Sequence, residues 1–254
     1  MAAESYGTAR KPERLAELAN QYGEQLWTAE LDVTDVPQLR AVVDRVFAEL
    51  GRIDVVVSNA GYGTFGAAEE FTDAQIQAQI ATNLVAPIQL TRAVLPHLRG
   101  QGNGRIVQLS SAGGQVTFAG GNLYHATKWG VEGFFEALVG ELAPLGIGVT
   151  LVEPGISRTG FGASLDIAPA MEAYAGTPIG QARPAMEAPG GITANGPGDP
   201  DKIADAIIAS VGVEPAPRRI TLGSDAYEWV HAGLTARLQE LESAKELAHS
   251  TDLN

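Results

Sequence analysis

The sequence contains no cysteine among its 254 residues, which excludes disulfide scaffolds, thiolate metal sites and cysteine nucleophiles. No apolar run approaches the roughly 20 residues that span a bilayer. The amino-terminal charges are not followed by the apolar stretch of a signal peptide. Basic residues are few, since 17 Lys and Arg against 30 Asp and Glu leave a net charge of −13. This sign argues against nucleic acid and anionic membranes, so we expect a cytoplasmic protein with neither partner.

What is present is an ordinary globular composition, with 45% hydrophobic and 19% charged residues. The length suits one large α/β domain or two small ones. Short β-branched segments alternate with amphipathic helix patterns, which is typical of a parallel sheet covered by helices on both faces. The predicted strands are 5–9, 26–31, 53–57, 105–109, 148–152 and 219–222, and the predicted helices are 38–50, 73–99, 123–143 and 225–248.

Two segments, residues 155–200 and the last predicted helix, allow more than one interpretation. The first is rich in Gly, Pro and Ala, and so long a loop is either a functional lid or a flexible insertion. Its position after a strand's carboxyl end favours a substrate lid, whose bulkier members, Phe161, Met171, Tyr174 and Met186, suggest a moderately apolar pocket. Core packing or a subunit contact explains equally well the stripe on the last helix, formed by Tyr227, Val230, Leu234, Leu238 and Leu241.

Tyr124 and Lys128 open the helix predicted over 123–143 and lie four residues apart, on one helical face. A free phenol has a pKa of about 10. A fixed cation beside it favours the phenolate, which makes the tyrosine a usable acid or base near neutral pH. Any amphipathic helix can contain such a pair, so the spacing alone is weak support for a catalytic role.

Further polar positions strengthen that interpretation. Ser111 follows a predicted strand, at the edge where open α/β sheets bind ligands. The segment Ser58 to Gly61 (SNAG) follows another strand, and Asn83 lies within a helix pattern that asparagine disfavours. Each position also has a structural alternative, because Ser110 and Ser111 can simply form a turn and Asn83 can be a buried structural amide.

Six motifs together resemble the short-chain dehydrogenase/reductase family, from about residue 8 to the end of the chain. In family order they are LDVTD (31–35), SNAG (58–61), Asn83, SSAGG (110–114), YHATK (124–128) and PGISRT (154–159). The resemblance implies an α/β fold with a Rossmann-type doubly wound parallel sheet, and a single domain over residues 1–254. It also implies a nicotinamide-dependent oxidoreductase that acts on a carbonyl or a secondary alcohol.

The resemblance assigns roles to individual residues. Tyr124 would be the general acid and base, and Ser111 would hydrogen-bond the substrate oxygen where negative charge develops. Lys128 would lower the pKa of Tyr124 and hold the nicotinamide ribose, and Asn83 would hold a water that links Lys128 to solvent. The positions that match cofactor-binding residues of the family are Arg10, Asp32, Val33, Asn59, Ala60, Gly61, Tyr124, Lys128, Pro154, Gly155 and Thr159.

The residues after the strand 5–9 indicate which cofactor is used. Family members that select NAD place an acidic residue here, whereas this chain has Arg10 and Lys11. A guanidinium favours a 2′-phosphate, so the resemblance implies NADP(H), with NAD as the alternative. The structural alternative is an arginine that merely faces water at a helix entry.

The expected partners are a small-molecule ketone or alcohol and further copies of the chain. By analogy with the family, we expect a homodimer or homotetramer formed through the helices predicted at 73–99 and 123–143. No metal is implied, and the four histidines form no ligand set. His125 is expected to be a pocket wall or a solvent-facing residue rather than a catalyst.

The chain departs from the family at its amino terminus. The family opens with a strand, a Thr-Gly-x-x-x-Gly-x-Gly turn and a helix, which this sequence does not show before the segment around Thr8. Gly61, Gly63 and Gly66 belong to the later SNAG position and are not counted as that turn. We therefore expect an N-terminally incomplete fold, with the first strand and first helix absent. Three strands should then lose a hydrogen-bonded neighbour, namely 5–9, 26–31 and 53–57.

The missing turn would have supplied backbone donors for the cofactor's pyrophosphate, so the chain as written should bind NADP(H) weakly or not at all. Two explanations compete. In the first, the chain is an ordinary enzyme whose start is truncated or misplaced. In the second, the short form is real and acts as a non-enzymatic binding or subunit-pairing protein. The presence of Asn83, Ser111, Tyr124 and Lys128 favours the first, because a chain released from catalysis is expected to have lost at least one of them.

Overall fold

A computed structural model describes residues 5–253, which contain eight β-strands and nine α-helices. The strands are β1 (Ser5–Ala9), β2 (Leu26–Glu30), β3 (Val55–Ser58), β4 (Thr64–Phe65), β5 (Gly104–Leu109), β6 (Ile147–Pro154), β7 (Asp166–Ile167) and β8 (Arg219–Leu222). The helices are α1 (Ala16–Tyr22), α2 (Val36–Leu50), α3 (Asp73–Ile80), α4 (Ala86–Gln101), α5 (Asn122–Leu142), α6 (Pro178–Glu187), α7 (Pro200–Val211), α8 (Ser224–Ser243) and α9 (Lys245–His249).

The strands form parallel sheets connected through helices, which confirms the predicted α/β fold. The largest sheet has the order β3-β5-β6-β8, and every neighbouring pair in it is parallel. A parallel connection requires a crossover, and α4 and α5 provide the crossovers on either side of β5 in the chain. This connectivity brings the carboxyl ends of β3, β5 and β6 to one edge of the sheet.

The two amino-terminal strands are hydrogen-bonded to each other. They pair in parallel from Ser5 opposite Leu26 to Ala9 opposite Glu30. The prediction that both would lose their hydrogen-bonded neighbour is therefore wrong, because each supplies the other's ladder. Within residues 5–253 this pair forms a sheet separate from the one that contains β3, whose Val57 is 50% exposed.

Helix α2 packs its apolar stripe into the core, as its three- and four-residue spacing predicts. The Asp35 side chain accepts a hydrogen bond from the Gln38 amide at 3.0 Å, which caps the first turn. The stripe is buried together with side chains from β5, β6 and α5, among which Phe135 and Leu151 are 0% exposed. Helix α2 also contacts α4, so the β1–β2 unit is attached to the main sheet through this packing.

The helix predicted over 73–99 is interrupted by a π-helical turn, Ala81–Val85, between α3 and α4. Asn83 lies within this turn and is 1% exposed. Its amide bonds to the backbone of Tyr62 rather than to its own helix. The interruption follows from that competition, since π-turns widen a helix locally and often occur at functional sites.

Residues 155–200 contain more regular structure than the predicted long loop. They include β7, α6 and several 3₁₀ turns, and β7 pairs in parallel with β4. A buried ion pair attaches the segment to the 3₁₀ turn after β4, because Arg183 Nη2 lies 2.6 Å from Glu70 Oε2. Arg183 also donates to the Ala168 carbonyl at 2.6 Å, and Glu70 accepts from the Met171 amide at 2.8 Å.

The last predicted helix, 225–248, divides into α8 and α9 at Ala244. Of the predicted stripe, Val230 is 8% exposed and packs in the core. The core-packing interpretation is wrong for the other four members, which are 50% to 67% exposed, namely Tyr227, Leu234, Leu238 and Leu241. Across residues 5–253, none of the helices combines the length and the apolar character that crossing a membrane demands.

We predict that Glu70→Gln destabilises the protein strongly. The Glu70 side chain is 0% exposed and that of Arg183 is 10% exposed. Removing one charge leaves the other buried without its partner, which costs about 3 kcal/mol or more. Urea unfolding at neutral pH measures this loss.

Glu187→Gln is the matched control, because Glu187 lies 3.7 Å from the same guanidinium but is 54% exposed. It should cost less than about 0.5 kcal/mol. Burial alone would raise the pKa of Glu70. The Met171 and Ala67 amides and the Arg183 charge outweigh burial, so the pKa lies below its usual value. The wild type should therefore keep this stabilisation above the usual carboxyl pKa and lose it as the pH falls through the lowered one. Equal losses in the two variants would contradict the assignment.

Candidate active site

The predicted catalytic residues meet where the central strands end. Ser111 lies two residues beyond β5, and Tyr124 and Lys128 occupy the first two turns of α5. Asn83 lies in the π-turn of the preceding crossover. Since β5 is flanked by β3 and β6, this is the carboxyl edge at which parallel sheets bind ligands.

The Ser111 hydroxyl lies near the Tyr124 phenol. Ser111 Oγ accepts from the Gly113 amide at 3.0 Å, which fixes the serine at the start of a 3₁₀ turn. Burial raises the pKa of Tyr124 to about 12, and the nearby Ser111 hydroxyl lowers it in part. The Tyr124 ring packs edge-on against Phe161, with centroids 5.8 Å apart. Phe161 belongs to residues 155–200, so that segment covers one side of the phenol.

Lys128 is a buried cation, 7% exposed. Its Nζ donates to the Leu109 carbonyl at 2.9 Å and lies 5.8 Å from the centroid of the Tyr124 ring. Burial lowers the pKa of Lys128 to about 8, while the charge of Glu132 raises it. Because the pKa of Tyr124 lies above its usual value, Lys128 alone does not produce the lowering that the resemblance implies.

Asn83 fixes the loop that follows β3. Its Nδ2 donates to the Tyr62 carbonyl at 2.8 Å, and its Oδ1 accepts from the Tyr62 amide at 3.1 Å. A Cβ on Gly61 would lie 3.2 Å from Asn83 Oδ1, so this close approach favours glycine. Asn59, Ala60 and Gly61 are all exposed and follow β3, at the edge of the sheet where the predicted catalytic residues lie.

Arg10 and Asp32 lie at the carboxyl ends of β1 and β2. Asp32 accepts from the hydroxyl and the amide of Thr34, which lower the pKa of its carboxyl, and the nearby charge of Arg10 lowers it further. Arg10 is exposed, whereas Val33 packs against the hydrophobic core. Burial raises the pKa of Tyr62 and the Arg10 charge opposes this, so Arg10 lies near the loop after β3 as well.

Pro154 ends β6, Gly155 and Thr159 follow it, and sequence reasoning missed the residue that holds this turn. The Asp225 carboxylate, at the start of α8, accepts from the Ile156 amide at 2.7 Å. A Cβ on Gly155 would collide with that carboxylate, so glycine is required. Thr159 is exposed, and its carbonyl accepts from the Thr193 hydroxyl at 2.9 Å. The signal that could have revealed Asp225 is its place just after the last strand.

His125 is a buried structural residue, so the solvent-facing interpretation is wrong. It is 6% exposed, and burial lowers the pKa of its imidazole. Nε2 accepts from the Phe118 amide at 3.1 Å, so the proton is assigned to Nδ1, which lies 2.9 Å from the Gly113 carbonyl. The ring thus braces the turn after Ser111.

Comparison with known proteins identifies the class. A family model described as short chain dehydrogenase matches residues 2–169. Oxidoreductase BOA17 of Botryotinia fuckeliana is 37% identical over 240 residues, which cover 94% of this chain and 85% of that protein. Three further relatives, 37% or 38% identical, are aligned over 55% to 58% of their own length. The chain belongs to the short-chain dehydrogenase family.

Solved structures agree with this assignment. A short-chain dehydrogenase from Streptomyces avermitilis is 37% identical, with a TM-score of 0.90 over 98% of this chain and 89% of that one. The closed form of a serine dehydrogenase complexed with NADP⁺ is 29% identical, with a TM-score of 0.71 over 87% of this chain and 84% of that one. The resemblance in fold and class is therefore confirmed, and the chain is an oxidoreductase of this type. These matches extend over nearly the whole chain and do not show the predicted loss of an amino-terminal strand and glycine turn.

We predict that Asn83→Ala destabilises the protein by about 2 kcal/mol, because it leaves the partly buried Tyr62 amide without a partner and the Tyr62 carbonyl with Gln79 alone. Urea unfolding measures the loss. Asn103→Ala is the control, since its side chain accepts only from the exposed Arg52; it should change stability by less than about 0.5 kcal/mol. If both variants cost the same, Asn83 does not anchor the loop.

Proposed function

We propose that the chain transfers a hydride between NADP(H) and a ketone or secondary alcohol. The observation that carries the proposal is the placement of the Ser111 hydroxyl near the Tyr124 phenol, with the buried ammonium of Lys128 one helical turn from that phenol. Two hydroxyls directed at one point can bind the same substrate oxygen. That oxygen gains negative charge during reduction, so donors fixed beside it stabilise the transition state.

The residues at the two ends of this edge suit the two ends of a nicotinamide dinucleotide. Arg10 offers an exposed guanidinium beside Asp32, which suits a 2′-phosphate on the adenine ribose. Lys128 lies at the other end, one turn from Tyr124, and the turn of Pro154 and Gly155 ends β6, the strand next to β5. The NADP⁺ in the serine dehydrogenase neighbour supports the same choice. When bound, the cofactor supplies or accepts the hydride.

The chain's own side chains hold the substrate oxygen and manage its proton. Because the pKa of Tyr124 is raised to about 12, its phenol is protonated at neutral pH and can donate in the reductive direction. The ammonium of Lys128 stabilises the phenolate that remains and can donate to the ribose hydroxyls. Ser111 holds the oxygen in line with the phenol. Asn83 keeps the Tyr62 loop in place, and we assign it the water that returns a proton through Lys128.

We further propose that this chain binds NADP(H) weakly. Within residues 5–253, β1 pairs only with β2, and β3 pairs only with β5. Residues 5–253 also contain no Thr-Gly-x-x-x-Gly-x-Gly turn, the element whose backbone amides would bind a pyrophosphate. Calorimetric titration of the folded chain with NADPH measures the affinity. Binding that saturates at micromolar concentrations would contradict this point and support turnover by this chain, whereas no binding would favour a non-enzymatic role for it.

We also propose the character of the substrate pocket and the way the chain assembles. Phe161 and Leu165 contact the site loop so closely that a Cβ on Gly63 would lie 2.6 Å from Leu165 Cδ2 and 2.9 Å from Phe161 Cζ. These apolar walls favour a moderately apolar ketone or alcohol. We also propose a single domain over residues 1–254 and a homodimer or homotetramer formed through the α4 and α5 faces.

Tyr124→Phe should lower kcat by at least about 100-fold with little change in NADPH affinity, because it removes only the transferred proton. Turnover is followed as NADPH consumption with a panel of ketones, and calorimetry follows binding. Tyr227→Phe, at a position 64% exposed on α8, is the control and should retain full turnover. Undiminished turnover in Tyr124→Phe would show that another group transfers the proton.

Arg10→Asp should weaken NADPH binding by about 10- to 100-fold and leave NADH binding unchanged or stronger. A loss of affinity of this size is expected when one charged hydrogen bond to the 2′-phosphate is removed. Arg14→Asp makes the same change of charge on the next exposed arginine and controls for the overall field. If the two variants lower NADPH affinity equally, Arg10 does not select the cofactor.

A further inference from the structure

Behind the active site lies a buried group of charged and polar side chains that the reaction does not use directly. Its centre is the guanidinium of Arg219 on β8. Arg219 Nε lies 2.9 Å from Glu132 Oε2 on α5 and 3.2 Å from Glu153 Oε1 on β6. The two glutamates are 5% and 1% exposed. One guanidinium thus joins two carboxylates from different elements.

Neutral side chains complete the hydrogen bonding of this cluster. Gln115 Nε2 donates to Glu132 Oε2 at 3.2 Å and to Glu153 Oε1 at 3.0 Å. Thr221 donates to Glu153 Oε2 at 2.8 Å. Glu153 is therefore held on both oxygens, which suits a structural carboxylate.

Glu132 is the member of the cluster that faces the active site. It lies one turn after Lys128 and two turns after Tyr124, on the same face of α5. Its Oε1 lies 3.2 Å from the place a Cβ on Gly114 would occupy, and Ser110 Oγ lies 2.8 Å from that place. The carboxyl group therefore contacts the turn that carries Ser111.

Lys128 is the buried cation that lies one helical turn from Glu132. Two buried carboxyl groups, those of Glu132 and Glu153, lie against the single guanidinium of Arg219, and the half-exposed Glu136 is a third, at 2.8 Å. Burial raises the pKa of Glu132, and Arg219 lowers it in part. The groups that face Lys128 are Tyr124 and Glu132 on α5 and the Leu109 carbonyl on β5.

We propose that Glu132 is a positioning residue for Lys128, and that its buried carboxylate keeps the lysine in the ammonium form that the reaction needs. This inference rests on the proposed function, because the charge of Lys128 matters for catalysis only if Tyr124 transfers a proton. Burial lowers the pKa of Lys128 to about 8, and the Glu132 charge acts in the opposite direction. A neutral amine would neither stabilise the Tyr124 phenolate nor carry a proton.

A purely structural role for Glu132 is the competing explanation, since its contact with Arg219 also joins α5 to β8. The two explanations differ in what they predict for the titration of Lys128. Loss of a structural anchor changes stability but leaves the lysine's titration midpoint unchanged. Loss of the balancing charge lowers that midpoint, because nothing then offsets burial.

The test is an NMR pH titration of the chain labelled with ¹³C at the lysine Cε. The sequence has four lysines, and Lys11, Lys202 and Lys245 are exposed, so only Lys128 should titrate well below the usual range. Lys128→Arg identifies its signal. Glu132→Gln should lower the Lys128 midpoint by about one pH unit or more, the shift expected when a close opposite charge is removed.

Glu136→Gln is the matched control. It removes a carboxylate from the same guanidinium but not from the neighbourhood of Lys128, so the midpoint should stay within about 0.3 units of the wild type. Arg219 keeps Glu153 and Glu136 in Glu132→Gln, so we expect that variant to fold. If Glu132→Gln does not fold, Glu132→Asp is the deciding variant. Its shorter side chain moves the carboxylate away from Lys128, so the Lys128 midpoint should fall by a smaller amount.

An unchanged midpoint in a folded Glu132 variant would overturn the proposal, whatever happens to stability. The titration needs neither cofactor nor turnover, so failure of the proposed function and failure of this inference are distinguishable. Where turnover is measurable, the alkaline limb of kcat/KM should move to lower pH in Glu132→Gln and not in Glu136→Gln. A fall in kcat with the pH profile unchanged would instead favour the structural role.

Discussion

The buried ammonium of Lys128 is the constraint on which the arrangement of the site depends. A cation removed from water is stable only where carbonyl dipoles and an opposite charge replace its hydration. The Leu109 carbonyl, 2.9 Å from Nζ, and the Glu132 carboxylate provide both. Helix α5 must therefore lie along β5 in one register, since a shift by one turn would move the ammonium away from the Leu109 carbonyl. The same register brings Tyr124 to Ser111.

The loops around the site are fixed by the same principle, that a buried polar group needs a partner. Asn83 satisfies both backbone groups of Tyr62, and the Glu70–Arg183 pair attaches residues 155–200 to the turn beyond β4. Asp225 does the same for the turn after β6. Each contact positions a loop by a hydrogen bond that is costly to break, so the site is shaped before any ligand binds.

Much of the fold could be predicted from the sequence because its signals are local. The stripe of α2 and the β-branched strands gave the correct element types, and the four-residue spacing of Tyr124 and Lys128 predicted that they share one helical face. The π-turn at Asn83 and the helix within 155–200 were not predicted, because each depends on contacts with residues distant in sequence. The pairing of β1 with β2 was not predicted, because contacts between strands that a helix separates leave no local signal in the sequence.

The residues that support the site were harder to find than the predicted catalytic residues, for a physical reason. Tyr124 and Lys128 belong to a single helix, whereas Arg219 reaches Glu132 across 87 positions and Arg183 reaches Glu70 across 113. Spacing along the chain carries no information about such pairs. Glu132 is the exception, because it follows Lys128 by the same four residues that link Lys128 to Tyr124. The rule that identified the pair therefore extends to a third member, and a carboxylate one turn beyond a buried lysine is a signal that the sequence alone provides.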